Sequence, residues 1–485
     1  MEELCRQAGE AATGAGAAYA DARYVGERVE RVTTKNGTVE GLSSSESRGI
    51  GVRVIADGAW GFAATGKLEA DAVREVAQLA VRIARASATT SKKPVELSEL
   101  EPAQARVAHT AQKDPFEVPL DERIGLLLDC DKAMAAAADV RLRQGFIVAL
   151  REEKVFVSSE GAEIFQDRIE TGAGLTATAT AEGESQERSY PSSHGGQMGT
   201  RGWELVEGLN LPSEAERIAK EAAALLKAPH FPAGEFDIIL EGSQLALQLH
   251  ESCGHPIELD RVLGTEASYA GTSFLTTDKL DSNFRYGSEI VNITADATLP
   301  GGLGSFAYDD EGVPAQRTQI VDKGIFCGYL TSRETAPEIG RTSQGAMRAD
   351  GWARTPLVRM ANINLMPGDW SLDEIIADTA HGFLLCTNTS WSIDDKRLNF
   401  QFGTEAAYEI TNGELGQLHR NATYSGITPE FWGSCDAISG KAPGEWIIWG
   451  VPNCGKGEPG QGAHVGHGVA PSRFRKVKCG VMGEK

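Results

Sequence analysis

The segment His250-Glu251-Ser252-Cys253-Gly254-His255 sets a geometric condition on the fold. It closes a run, Ser243 to Leu249, that reads as a buried helix. Imidazole is a common protein ligand for zinc, and a glutamate beside the first histidine is placed to take a proton from metal-activated water. In the familiar H-E-x-x-H motif the two histidines are four residues apart and share one helix face. Here they are five apart. At about 100° per residue, four steps leave two side chains about 40° apart, whereas five leave them about 140° apart. A regular α-helix would aim the rings in different directions. A joint site requires the helix to end, unwind or bulge between them, and Gly254 is the residue that would permit it. The alternative is a surface helix end carrying two histidines by chance, and the apolar run before His250 speaks against it.

Two carboxylates follow, in His255-Pro256-Ile257-Glu258-Leu259-Asp260. Glu258 or Asp260 could accept the second ring N–H of a ligating histidine and fix its tautomer; otherwise they are ordinary loop acids. A catalytic zinc usually takes three protein ligands and leaves one position for water, so a third donor must come from elsewhere. Cys454 follows the strand-like run Trp446 to Val451 and precedes a glycine-rich loop that also carries His464 and His467. Glu258 competes by local proximity. Residue chemistry leaves these four open, because a free cysteine is commonly just a small buried hydrophobe.

The pattern H-E-x-x-G-H-x-x-E-x-D from His250 to Asp260, together with Asn453-Cys454-Gly455-Lys456, resembles the TldD/PmbA family on its TldD side. Its members were once labelled modulators of DNA gyrase and are now regarded as zinc peptidases. The resemblance extends over nearly the whole chain, including Ser43 to Val54 and Asp309-Asp310-Glu311-Gly312-Val313. It implies that His250, His255 and Cys454 are zinc ligands and that Glu251 is the general base. It also implies action on short or unfolded peptides, as a homodimer or beside a PmbA/TldE-like subunit that lacks the metal-binding residues. His464 and His467 fall outside the family pattern; they are either incidental or ligands of a second metal.

Composition narrows the function further. The chain has 485 residues, 55 of them glycine, and is 41% hydrophobic, enough for sizeable cores in two or more domains. Its net charge is -21, and the densest basic cluster, Arg473 to Lys478, reads as a strand end. Phosphate neutralisation supplies most nucleic-acid affinity, so direct DNA binding is not expected. The eight dispersed cysteines do not form a disulfide framework. No apolar signal core and no membrane-length apolar run are present, which together predict a cytoplasmic protein with reduced thiols.

The expected fold class is α+β: an N-terminal domain of mixed strands and helices (1–228), then a β-rich domain (229–485) carrying the H-E-x-x-x-H helix. Helices are predicted over 1–17, Leu68 to Ala86, Asp121 to Ala138 and Ser213 to Lys227, the last with Ser213 and Glu216 as a capping box. A helix, strands, helix order occurs twice and hints at a pseudo-repeat. Asn36-Gly37, Asp57-Gly58, Lys323-Gly324 and Asn412-Gly413 read as turns. Beyond Pro229 the chain reads mainly as strands, with short helices at Leu372 to Ala380 and Pro429 to Ser439.

The functional expectation is a zinc-dependent peptidase that holds its substrate as an added strand. Two rivals are weighed. A scaffold with structural zinc would close the site with a fourth ligand, such as His464 or His467. A thiol enzyme would use Cys454 or Cys253 as nucleophile, and nothing basic beyond the histidine pair is evident to activate Cys253.

Overall fold

The computed structural model describes residues 1–457 and 460–481. Its first half pairs helices with one long sheet. Helix α1 (Glu2–Gly14) precedes β1 (Tyr19–Lys35), β2 (Thr38–Ala56), β3 (Ala59–Thr65) and α2 (Ala70–Ala88). After β4 (Gln104–Val107) come α3 (Leu120–Met134), β5 (Val140–Ser158), β6 (Glu163–Ala181), β7 (Glu184–Tyr190), β8 (Gln197–Gly199), α4 (Glu204–Gly208) and α5 (Leu211–Leu225). The strand pairs β1/β2, β2/β3 and β6/β7 turn at Asn36-Gly37, Asp57-Gly58 and Glu182-Gly183, each with both residues at positive φ. Such turns match the right-handed twist of their strands. Two antiparallel meanders, β1-β2-β3 and β5-β6-β7, meet through β1 and β5. The helix, strands, helix order seen twice in the sequence is thus a structural duplication about that central pair.

Alanine-rich faces let these helices lie close to the sheet. Ala77, Ala80 and Ala84 of α2 pack with Ala8 and Ala12 of α1 over Val52 and Val54. Leu127 and Cys130 of α3 and Ile218 and Ala222 of α5 cover Ile147 and Leu175. The capping box expected at Ser213 is not formed. Helix α5 begins two residues earlier, after Asn210 in the left-handed region, and Ser213 Oγ donates to the Asn210 carbonyl. Pro212 sits in the first turn, where its missing N–H has no helical partner to lose, so the helix starts upstream of the serine.

The second half is a mixed barrel with an insertion. β9 (Gly234–Leu240) leads into α6 (Gly242–Leu249). A short helix, α7 (Leu259–Val262), follows the site segment. Then come β10 (Ile293–Asp296), β11 (Arg317–Asp322), β12 (Ile325–Phe326), the small pair β13 (Met347–Arg348) and β14 (Leu357–Val358), and β15 (Ile363–Leu365). Helix α8 (Leu372–Ala377) carries the capping box that α5 lacks, between Ser371 and Glu374. β16 (His381–Ile393), β17 (Asn399–Thr411), β18 (Glu414–His419), β19 (Ala422–Ile427), α9 (Thr428–Gly433), β20 (Cys435–Ile438), β21 (Ile447–Lys456), β22 (Gln461–Val469) and β23 (Ser472–Val481) complete the described chain. The order β16-β9-β23-β19-β17 closes on itself because β17 also pairs with β16. Phe383, Phe402, Tyr424, Phe431 and Phe474 belong to its core. The chain is therefore α+β, with strands dominating after Gly234.

The acidic run Asp309-Asp310-Glu311 ties the two halves together. Arg53 bridges Asp21 and Glu311 at 2.8 and 3.2 Å, and Lys154 reaches Asp310 at 2.9 Å. Asp309 turns inward and accepts the backbone N–H groups of Glu311, Val313 and Met347. The basic cluster Arg473 to Lys478, expected at a strand end, instead fills the first part of β23 and is similarly paired: Arg473 and Arg475 lie against Asp436, Asp378 and Asp237. Among the described residues, no helix is long and apolar enough to cross a membrane.

Candidate metal centre

Every residue of α6 is buried, so the helix delivers its end into the interior. Glu241 starts it by accepting the Ser243 N–H at 3.0 Å. From His250 to Gly254 the helix widens into a π turn, in which the His255 N–H reaches the His250 carbonyl five residues back. This is the bulge that the five-residue spacing demands, since an i to i+5 hydrogen bond sets residues five apart one above the other. The rings of His250 and His255 meet edge to face with centroids 4.9 Å apart. Gly254 acts differently from expectation. It has ordinary right-handed angles, φ -57° and ψ -57°, and is needed for closeness: a Cβ there would stand 2.1 Å from Met360 Sδ.

The hairpin of β21 and β22 closes the site from the opposite side. Its register pairs Cys454 with Ala463, so residues 463, 465 and 467 share the face that carries Cys454. Ligand atoms of His250, His255 and Cys454 all lie within 4.8 Å of one another. Cys454 Sγ is 3.7 Å from His255 Nε2, close to the roughly 3.5 Å that tetrahedral zinc bonds impose between neighbouring donors.

Each imidazole is held with one nitrogen free. His467 Nδ1–H donates to the Ile363 carbonyl at 3.2 Å, which leaves its Nε2 to accept from His250 Nδ1–H at 2.8 Å. Burial, reinforced by neighbouring His250, pushes His467 well below the usual histidine range and keeps it neutral. Burial likewise depresses His250. His250 Nε2 is thereby left with its lone pair toward the site. His255 Nδ1–H donates to Glu258 at 3.0 Å, freeing its Nε2 in the same way. Burial alone would raise Glu258, but Lys456, His255 and Arg359 hold its carboxyl well below the carboxylate range. Burial would also raise the Cys454 thiol, yet His255 and Arg359 outweigh it and lower it. Zinc takes neutral imidazole and thiolate, and a His250 depressed by burial, a His255 Nε2 left free by Glu258 and a lowered Cys454 thiol fit such an ion.

The other expected residues fall in different places. Glu251 is buried and ion-paired with Arg397. Burial would raise its carboxyl, but His255, His250 and Arg397 together lower it. Asp260 accepts from Lys456 at 2.7 Å and from the Arg261 N–H, so the charged contact it makes is with the lysine that also faces Glu258. His464 lies on the outer face of the hairpin and pairs with Glu170 of β6, away from Cys454. Neither His464 nor His467 joins the three-donor cluster.

Four further groups were given no role from sequence. Arg397 meets Glu251. Buried Lys456 stands among Glu258, Asp260 and Glu266 at 3.5, 2.7 and 3.5 Å. Arg359 donates to the Cys454 and Gln461 carbonyls and so clamps the hairpin. His194, in the turn between β7 and β8, packs edge-on to Trp391 with centroids 5.3 Å apart. Burial and His250 push His194 down to about 4 against the opposing pull of Glu251 and a hydrogen bond with Asn453. The asparagine next to Cys454 is thus touched from the first-half sheet.

Comparison with known proteins agrees with this architecture. Family descriptions of the PmbA/TldA metallopeptidase match in three blocks: domain 1 over residues 20–84, the central domain over 113–228 and the C-terminal domain over 233–469. A metalloprotease of Methanocaldococcus jannaschii is 31% identical over 452 residues, covering 93% of this chain and 94% of its own. A zinc metalloprotease TldD homolog of Saccharolobus solfataricus is 26% identical over 328 residues, covering 67% of this chain and 68% of its own. The crystal structure of TldE from Thermococcus kodakarensis superposes with a TM-score of 0.74 at 18% identity, over 99% of each chain. The chain belongs to the PmbA/TldD metallopeptidase family.

Proposed function

We propose that this protein is a zinc-dependent peptidase acting on short or unfolded polypeptides. His250, His255 and Cys454 hold the ion, and Glu251 is the general base. The observation that carries this reading is the convergence of two imidazoles and a thiol from segments 199 residues apart, with a carboxylate beside them. Zinc bound there supplies a Lewis acid that polarises the scissile carbonyl and acidifies water. Glu251 takes the proton of the attacking water and passes it to the leaving amine. His467 and Glu258 hold the two ligand imidazoles in the tautomers that present Nε2. Burial of the centre excludes bulk water and strengthens each of these interactions.

Two features of the substrate follow from the same reading. A thiolate donates more charge than a third imidazole and moderates the ion's acidity, which suits restrained processing. An extended backbone suits a site built between a helix end and a hairpin, so an unfolded chain is cut and its folded form resists. A working particle with a related PmbA/TldE-like subunit, or a homodimer, belongs to the same reading.

The deciding experiment is metal stoichiometry by elemental mass spectrometry on wild type and Cys454→Ala, with hydrolysis of an unfolded polypeptide measured alongside. About one zinc per chain in wild type, lost in the variant, is expected. Glu251→Gln should keep its zinc and lose about 10²–10⁴-fold in rate. Zinc indifferent to Cys454, or full activity without Glu251, would overturn the assignment.

A further inference from the structure

Arg397 occupies a loop that is held from several sides. Between β16 and β17, the Asp394 carboxylate accepts the N–H groups of Leu398 and Asn399 at 2.8 and 3.1 Å. The carbonyls of Asp395 and Lys396 accept from Thr272 and Phe274 at 3.0 and 2.8 Å. Thr428 Oγ1 donates to the Arg397 carbonyl at 3.0 Å. Arg397 sits at φ 63°, a left-handed conformation that a non-glycine residue adopts only when its surroundings impose it. The side chain is 15% exposed, and Nη1 lies on Glu251 Oε2. Its Nε–H is buried and has no partner among the described residues. A buried guanidinium donor left unsatisfied is unfavourable unless a ligand completes it.

Glu251, on the reading above, must reach both the attacking water and the leaving amine. A group touching its carboxylate therefore stands beside the reacting carbonyl. We propose that Arg397 is a catalytic residue of the peptide hydrolysis: it donates to the scissile carbonyl oxygen as negative charge gathers there. The water oxygen bonds to the carbonyl carbon, its proton goes to Glu251, and the π pair moves onto the oxygen facing Arg397. When the pair returns, the C–N bond breaks and the proton on Glu251 goes to the amine. A planar fork can serve Glu251 and this oxygen together, which a lysine ammonium does less well. The fixed loop means that the donor does not reorganise as charge develops.

The inference rests on the peptidase reading, and its test separates the two. Zinc-loaded full-length wild type, Arg397→Gln and Arg397→Lys are compared on an amide peptide and on its phosphinic analogue, a tetrahedral anion that needs no general base. Zinc content and thermal melting establish that each variant is folded and loaded, with the lysine variant as the milder change. For Arg397→Gln, kcat should fall about 10²–10³-fold with KM within about twofold, and phosphinic affinity should fall about 10²-fold in parallel. Arg397→Lys should lie between. Unchanged phosphinic affinity beside a reduced kcat overturns the proposal and leaves Arg397 as a positioning group for Glu251. A raised KM with unchanged kcat overturns it in favour of ground-state binding. If wild type neither cleaves the amide nor prefers the phosphinic peptide, the peptidase reading itself has failed and the proposal goes with it.

Discussion

His467 stands between His250 and the backbone, with its Nε2 2.8 Å from His250 Nδ1 and its Nδ1 3.2 Å from the Ile363 carbonyl. The two contacts form a relay that settles which nitrogen of His250 is bare. His467→Ala should leave the three donors in place but free the His250 ring to turn or change tautomer. Metal affinity is expected to fall about 10–100-fold, read by competition with a chromophoric chelator. An affinity equal to wild type would show that the relay is incidental.

Gly254 and Met360 make a steric pair. Gly254→Ala places a methyl where Met360 Sδ lies, 2.1 Å away, and should destabilise by about 1–3 kcal/mol. Combining it with Met360→Ala makes room, so the double variant should lose less than the sum of the two single losses. Urea unfolding of the four proteins measures this, and simple additivity would count against the account.

Lys456 is buried among three acids. Lys456→Met removes the ammonium and leaves Glu258, Asp260 and Glu266 facing one another. A loss of about 3–5 kcal/mol is expected, as for breaking a buried ion pair from one side. Zinc binding should weaken too, because Glu258 orients His255. A change within experimental error of wild type would mean that the acids simply take up protons without penalty.

Glu170 gives a pH-dependent prediction. Burial would raise its carboxyl, but Arg168 and His464 lower it from 4.5 to about 2. A group depressed on folding contributes stability that is complete above its unfolded value and is lost as pH falls toward its folded value. Wild type should therefore exceed Glu170→Gln by about 3 kcal/mol near neutrality. The gap should hold down to about pH 4.5 and narrow below it. Denaturant titrations from pH 7 to pH 3.5 test the shape, and a gap that widens in acid would contradict it.

The candidate donors His250 and His255 were legible because their chemistry is local and their spacing unusual. The five-residue step from His250 to His255 already required a bulge, and the structure supplies a π turn. By residue chemistry Cys454 is one of four candidates, and only its place in the Asn453-Cys454-Gly455-Lys456 pattern distinguishes it. The turns at Asn36-Gly37, Asp57-Gly58 and Asn412-Gly413 were legible because left-handed angles favour Asn, Asp and Gly, and Gly324 alone marks the one at Lys323-Gly324. Arg397 was not, since nothing in Asp394-Asp395-Lys396-Arg397 points 146 residues back to Glu251. His467 was read as a rival ligand, and only the alternation of β22 separates its inward face from that of His464. Ser213 misled because α5 starts upstream of it, at Leu211 after Asn210, with Pro212 in its first turn.

The placement of β21 to β23 bears on how the protein is made. A ribosome that has released the chain only through Gly433 has produced both histidines and Glu251, but not the cysteine, its hairpin or β23 between β9 and β19. The barrel at that moment lacks an interior stave, and its nascent metal site has two donors of three. On the proposed ligand set, metal capture would then be a late event in biogenesis, and zinc occupancy would double as a record that synthesis reached the far side of the fold.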